Sequence, residues 1–328
     1  MLDHVPIGVP ASLFAKLAAV SPRASSPPVD ARVVAVVGAT ASGKSDLALD
    51  LAELLGGEVV NTDSMQVYRG MDIGTAKHPV AQRRGITHHL MDVLDVTEPA
   101  TVAEFQGWAR DVIADCHQRR VIPVLVGGSA LYTRAILDEF EFPGTDPGVR
   151  GRLEDELAAV GPEALHARLA ELDPAAAVQV LPRNGRRVVR ALEVIEITGR
   201  PYSAALPAMR YHYPGAVQIG VDIDRGTLDG RIRQRVERMW EAGFVEEVQE
   251  LARRGLREGR TAHRALGYRQ ILTFLDGEIT EEEAREQTFT GTRRFARRQD
   301  SWFRKDPRIT WVRHDDPARV DRALEAIS

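Results

Sequence analysis

Eight consecutive residues, Gly38-Ala39-Thr40-Ala41-Ser42-Gly43-Lys44-Ser45, satisfy the pattern G-x-x-x-x-G-K-[ST] in full. Gly38 and Gly43 let the backbone fold around phosphate oxygens, Lys44 adds a full positive charge, and the Ser45 hydroxyl is a ligand for Mg²⁺. The setting supports this reading. The apolar run Val33-Val34-Ala35-Val36-Val37 precedes the loop, and Ser45 to Leu55 follows with Leu47, Leu51, Leu54 and Leu55 on one side of a helix. A helix that starts there turns unpaired N–H groups and a partial positive charge toward an anion. The usual owners of such a loop are nucleoside triphosphatases and small-molecule kinases, which keep an acidic residue at a neighbouring strand end to hold Mg²⁺. Here the strand read over Val121–Val126 runs into Gly127-Gly128-Ser129, and the nearest strand-end carboxylate is Asp63. That weakens ATP hydrolysis and leaves a second possibility, a diphosphate held as a leaving group.

The loop must sit on a sizeable fold. The chain has 328 residues, 44% hydrophobic and 27% charged, with a net charge of −4. At roughly 150 residues per domain this is about two domains, or one core with an insertion, and it excludes global disorder. No apolar run approaches the roughly 18–20 residues of a membrane span, and Met1-Leu2-Asp3-His4 does not open a secretory signal. The single cysteine, Cys116, excludes an internal disulfide and a multi-cysteine metal cage and fits a reducing cytoplasm, the expected location. The weakly acidic total argues against a wholly basic nucleic-acid binder but leaves room for local basic patches.

Residues 1–30, rich in Pro and Ser, read as a disordered tail. From Arg32 onward, strands at 33–37, 58–61 and 121–126 alternate with helices at 45–55 and 101–118. Continuous apolar strands between helices predict an α/β fold: a P-loop NTPase-like parallel sheet with helices on both faces. Ligands then gather beyond the carboxyl ends of the strands, where 38–45, 62–66 and 127–129 lie. After Phe142-Pro143-Gly144 only helical patterns appear, to about Pro214. The expected organisation is a catalytic core of 31–142 plus 215–328, interrupted by an all-helical insertion at 143–214. Within the second half, a strand is read at Val217–Val221, long helices at about 227–254 and 280–304, and a last strand at Ile309–Val312.

Arginines cluster at three places: Arg186, Arg187 and Arg190; Arg231, Arg233, Arg235 and Arg238; and Arg293-Arg294-Phe295-Ala296-Arg297-Arg298, shortly before Trp302-Phe303-Arg304-Lys305. A charge run is ordinarily a solvated face. Arginines interleaved with aromatics fit phosphate contact plus base stacking instead. His88, His89 and Asp92 do not read as a metal site. Adjacent histidines on an extended segment point to opposite faces, so structural contacts are expected.

Five segments together carry a family resemblance: the glycine-rich loop; Asn61-Thr62-Asp63-Ser64-Met65-Gln66-Val67-Tyr68-Arg69-Gly70-Met71-Asp72-Ile73-Gly74-Thr75-Ala76-Lys77; Leu125-Val126-Gly127-Gly128-Ser129-Ala130-Leu131-Tyr132; Arg187-Val188-Val189-Arg190-Ala191-Leu192-Glu193; and Gly267-Tyr268-Arg269. In this order, over about residues 32–313, the chain resembles the tRNA dimethylallyltransferases. The resemblance implies transfer of a dimethylallyl group from dimethylallyl diphosphate to N6 of the adenosine 3′ of the anticodon, with Mg²⁺. Asp63 would be the general base, and Lys44 with the loop Gly38–Ser45 would hold the departing diphosphate, with Ser45 on the metal. Ser129 stands where the family usually has threonine; it keeps the hydroxyl near the reacting phosphate. Ala39 stands where proline is common, Thr87 precedes His88-His89 where proline is usual, and Arg183-Asn184-Gly185 replaces a His-Pro-Asn-Asp lead-in.

The tRNA contacts implied are Asp63, Ser64, Met65 and Gln66; Arg150; Arg186, Arg187, Val188, Val189 and Arg190; and Arg264, Gly267, Tyr268 and Arg269. Arg297 and Arg298 join them from the arginine run. The expected partners are the anticodon stem-loop of tRNA, gripped by the insertion, and a small prenyl diphosphate. No membrane is expected, and the protein is expected to be a monomer. The rivals are a P-loop small-molecule kinase, a prenyltransferase acting on free nucleotides, and a non-catalytic RNA-binding module.

Overall fold

Val33 to Val37 form most of strand β1 (Arg32–Val37), and each is at most 1% exposed. Successive side chains of a strand point to opposite faces, and here they feed two separate cores. Val34 and Val36 pack with Leu47, Leu51 and Val59 on one face, while Val33, Ala35 and Val37 join Val60, Phe105 and Ile113 on the other. Each such side chain contributes about 1.5–3 kcal/mol when fully buried, which is why the run shows no polar alternation. The computed structural model describes residues 32–139, 142–205 and 209–328. The stretch read as a disordered tail lies outside the described residues.

The sheet has six parallel strands in the order β3-β2-β4-β1-β5-β6. They are β1, β2 (Glu58–Asn61), β3 (His88–His89), β4 (Pro123–Gly127), β5 (Gly215–Asp222) and β6 (Ile309–Arg313). After β1 the chain builds β2, β3 and β4 to one side, then β5 and β6 to the other. The carboxyl end of β1 is therefore the place where the strand order reverses, and crevices open at such points. Helix α1 (Lys44–Leu55) begins there, and α2 (Val102–Gln118) starts at a capping box in which Thr101 and Glu104 satisfy each other's backbone N–H groups. The short α3 (Ala130–Leu137) leaves β4 directly.

Next come four helices: α4 (Pro147–Val160), α5 (Pro162–Leu172), α6 (Pro174–Gln179) and α7 (Gly185–Thr198). Each of the first three has proline in its first turn, where its missing N–H costs nothing. Leu153, Leu165, Leu169, Val188, Val189 and Leu192 are buried against one another in a core distinct from the two that flank the sheet.

The second half departs from expectation at one point. The long helix read over 227–254 is two helices, α8 (Arg225–Glu241) and α9 (Phe244–Arg253). Gly243, at φ 92°, takes the left-handed conformation between them. The turn seats Phe244 edge-on between Trp240 and Tyr268, at centroid distances of 5.4 and 5.0 Å. Then follow α10 (Tyr268–Leu275), the 23-residue α11 (Glu281–Phe303), β6 and a terminal α12 (Arg319–Ile327). The reading stopped at β6 and missed α12, whose Ala323 and Ile327 complete the core over β5 and β6. No helix of the described residues is long and apolar enough to cross a membrane.

Candidate active site

The phosphate loop folds as its residue types require. Gly38 has φ 144° and Gly43 φ 96°, conformations that L-residues rarely adopt, and Ala41 is itself left-handed at φ 63°. Ala39 and Ser42 are buried, and the Ser42 hydroxyl has no hydrogen-bond partner. Gly43 precedes α1 without a side-chain cap, so the helix presents its first N–H groups to the loop. Lys44 donates Nζ to its own loop at Ala39 O (3.2 Å), and Arg231 donates to Ser42 O (3.2 Å).

Asp63 stands one turn beyond β2. Asn61 fixes the turn: its Oδ1 accepts from Asp63 N (2.8 Å), and its Nδ2 donates to Asp63 O (3.0 Å) and Leu90 O (2.9 Å). One carboxylate oxygen of Asp63 accepts from Met65 N at 2.8 Å. The turn lies close to the end of β4, because a Cβ on Gly127 would collide with Thr62. Ser129, where threonine is usual in the family, spends its hydroxyl as the N-cap of α3, accepting from Tyr132 N at 3.5 Å.

Two cavities flank this turn. One, of about 300 Å³, is lined by Lys44, Ser45, Asp63 and Gln66. The other, of about 830 Å³, is lined by Asp63, Ser64, Met65 and Ser129 at one side and by Arg264, Arg269, Arg294 and Arg298 at another. Thr40, Asp63, Thr75 and Arg235 line both, so the carboxylate and one arginine stand at the junction. Burial, with the Arg235 charge adding to it, lowers the Lys44 pKa to about 8, while Asp63 acts in the opposite sense. Burial likewise lowers the pKa of Arg235, which Asp63 partly offsets. Two cations and one carboxylate thus face each other where water is scarce, the arrangement that strengthens their hold on an anion.

Arg235 was read only as one of four arginines on a basic segment. Of its neighbours, Arg231 holds the phosphate loop at Ser42 O, while Arg233 lies 3.8 Å over the Phe289 ring and Arg238 donates to Gln234 O. No sequence signal singles it out; its place at the junction of the two cavities does. Arg294 was likewise part of the basic run without being named as a contact.

The other expected contacts divide. Tyr268 lines the larger cavity, but its hydroxyl donates to Glu247 at 2.6 Å, and Gly267, at φ 86°, packs against Phe244. Arg297 does not line the cavity; its guanidinium is exposed and reaches Asp229 at 3.2 Å. Val188 and Val189 turn their side chains into the core of the helical cluster, 0% and 3% exposed. Arg150 and Arg190 both bind the buried Glu193 carboxylate, and Arg190 also donates to Pro143 O and Gly144 O. Burial pushes the Glu193 pKa up, but the two guanidiniums outweigh it and hold the carboxylate below its ordinary value. Arg186 and Arg187 are exposed on the first turn of α7.

His88 bonds Ile86 O, and His89 donates from Nε2 to the Glu58 carboxylate (2.7 Å). Glu58, His89 and Cys116 lie within 4.8 Å of one another. Arg119 already grips both oxygens of Glu58, at 2.8 and 2.7 Å, so the group is a satisfied network at the amino end of β2, remote from the ligand edge.

The parallel sheet, the glycine-rich loop at its switch point and the adjoining cavities define a P-loop α/β protein with a helical cluster inserted after the fourth strand. Within that class, residues 66–306 match the family described as IPP transferase, and the chain belongs to it. A tRNA dimethylallyltransferase of Nocardioides sp. is 67% identical over 296 residues, covering 90% of this chain and 96% of that one. One from Thermobifida fusca is 61% identical over 300 residues, with 90% and 94% covered. Among solved structures, the tRNA isopentenylpyrophosphate transferase of Bacillus halodurans superposes with a TM-score of 0.66 at 40% identity, covering 90% and 94%. A eukaryotic dimethylallyltransferase acting on tRNA superposes at 0.77 with 28% identity, covering 90% and 76%.

Proposed function

We propose that the chain transfers the dimethylallyl group of dimethylallyl diphosphate to N6 of the adenosine immediately 3′ of the anticodon in tRNA, releasing diphosphate. The observation that carries this reading is the position of Asp63 at the junction of a phosphate-loop cavity and an arginine-lined one. The donor diphosphate enters the small cavity, on the helix N-terminus and Lys44. The adenine leaves its stack and enters the large one. An exocyclic adenine amine is a poor nucleophile because its lone pair is delocalised into the ring. As N6 bonds to the donor carbon, the carbon–oxygen bond breaks, its electrons pass to diphosphate, and the N6 proton passes to Asp63. Arg235, Lys44 and the loop amides stabilise the charge that develops on the leaving group.

Magnesium fits the residues present. The Ser45 hydroxyl and the Asp63 carboxylate line the same small cavity as Lys44, and an ion held there neutralises diphosphate charge when bound. The helical cluster within 143–214 grips the anticodon stem-loop through exposed Arg186 and Arg187, while Arg150 and Arg190 hold the cluster to its own linker. The protein works as a cytoplasmic monomer. Incubation with dimethylallyl diphosphate, Mg²⁺ and bulk tRNA, then nucleoside digestion and mass analysis, tests the reading. The expected product is adenosine carrying one five-carbon unit. Phosphate transfer from ATP to a metabolite, with RNA left unmodified, would overturn it.

A further inference from the structure

Just past the arginine run of α11, a polar uncharged side chain turns inward. Gln299 is 6% exposed, and its Oε1 accepts from Thr40 N at 2.8 Å, across 259 residues of sequence. Its Nε2 lies hard against the turn after β4, where a Cβ on Gly128 would collide with it. One amide therefore spans both loops at the ligand edge of the sheet. The neighbouring loop bonds do not reach Thr40: Ala39 O receives Ser42 N (3.3 Å) and Lys44 Nζ, and Arg231 holds Ser42 O. Gln299 itself lines the larger cavity, one residue along α11 from Arg298.

We infer that Gln299 is a positioning residue: it sets the shape of the phosphate loop from the helix that lines the RNA side, so donor affinity depends on it while tRNA affinity does not. A part-buried backbone N–H that loses its partner favours any shift of the loop that finds it another. Glycine at position 128 belongs to the same device, because any larger residue displaces the amide.

The inference rests on the donor reading above, and the test separates the two. Full-length wild type and Gln299→Met, which keeps the length and volume of the side chain without its hydrogen bonds, are compared for donor KM, kcat and tRNA Kd measured without donor. The expected result is a donor KM raised about tenfold, equivalent to about 1.4 kcal/mol, with tRNA Kd within about twofold of wild type. If Gln299→Met does not fold, Gln299→Glu is read by the same split. It retains an acceptor for Thr40 N while placing a charge on the side of the larger cavity, so its donor KM stays within about twofold of wild type even where tRNA Kd rises; a donor KM that rises tenfold with the acceptor kept overturns the inference. For Gln299→Met, an unchanged donor KM, or donor and tRNA affinities that fall together, overturns the inference. A wild type that prenylates no tRNA brings down the donor reading instead.

Discussion

The two cavities that meet at Asp63 are built on opposite plans. The smaller gathers around one local unit, the phosphate loop with its two left-handed glycines, the N-terminus of α1 and the ends of β2 and β4, with Lys44 as a full charge of the loop itself. The larger is walled by side chains from separate elements, and its arginines come from positions 235 to 298. A small, highly charged group is best met by dipoles fixed in place, since these cost no reorganisation as charge develops. A long, flexible polyanion is met by long side chains, and their contribution is screened by salt. The helical cluster adds a third treatment of arginine. There Arg150 and Arg190 are tied to Glu193 and the linker carbonyls, serving the cluster's own architecture.

The contrast can be broken at several points. Asp63→Asn should lower kcat by about 10²–10⁴, the usual worth of a general base, with tRNA affinity intact; unchanged turnover in a single-turnover assay would remove Asp63 as the base. Leu169→Ala should cost about 2–5 kcal/mol of stability by opening a cavity in the helical cluster. Calorimetry should place that loss in the cluster while donor binding persists; a joint loss of both would mean the cores are not separable. Arg294→Ala combined with Arg298→Ala should weaken tRNA binding and reduce the slope of log K against log salt by about two, whereas Arg297→Ala should leave the slope unchanged. The smallest effect is with pH. The Lys44 ammonium binds diphosphate only when protonated, and its pKa is lowered to about 8 by burial and Arg235. Donor KM should therefore be flat below that pH and rise above it, toward tenfold per unit; a profile flat to pH 10 would exclude Lys44 as a titrating ligand.

Local features of the chain were legible from sequence. The phosphate loop is eight contiguous residues, β1 is an unbroken apolar run, and Thr101 with Glu104 announces a helix start. What depended on distant packing was not. Arg235 is set apart only by its burial at the junction of the two cavities, which the packing of α8 decides. Val188 and Val189 lie between arginines in sequence, yet helical periodicity turns them inward while Arg186 and Arg187 stay exposed. The break at Gly243 passed unread because the flanking residues keep a helical pattern, and only the ring stack of Trp240, Phe244 and Tyr268 requires it. Helix α12 was readable from the spacing of Val320, Ala323, Leu324 and Ile327, but lay past the last strand considered.

Asp138 and Tyr211 form an antiparallel bridge, flanked by Glu139 N to Arg210 O (2.8 Å) and His212 N to Leu137 O (2.7 Å). Arg308, from the approach to β6, clamps Asp138 at 2.7 and 3.1 Å and lies 4.1 Å over the Tyr211 ring. Both passages of the chain between sheet and helical cluster thus run through one riveted seam. The helical cluster is thereby anchored to the sheet beside its last strands rather than at the phosphate loop.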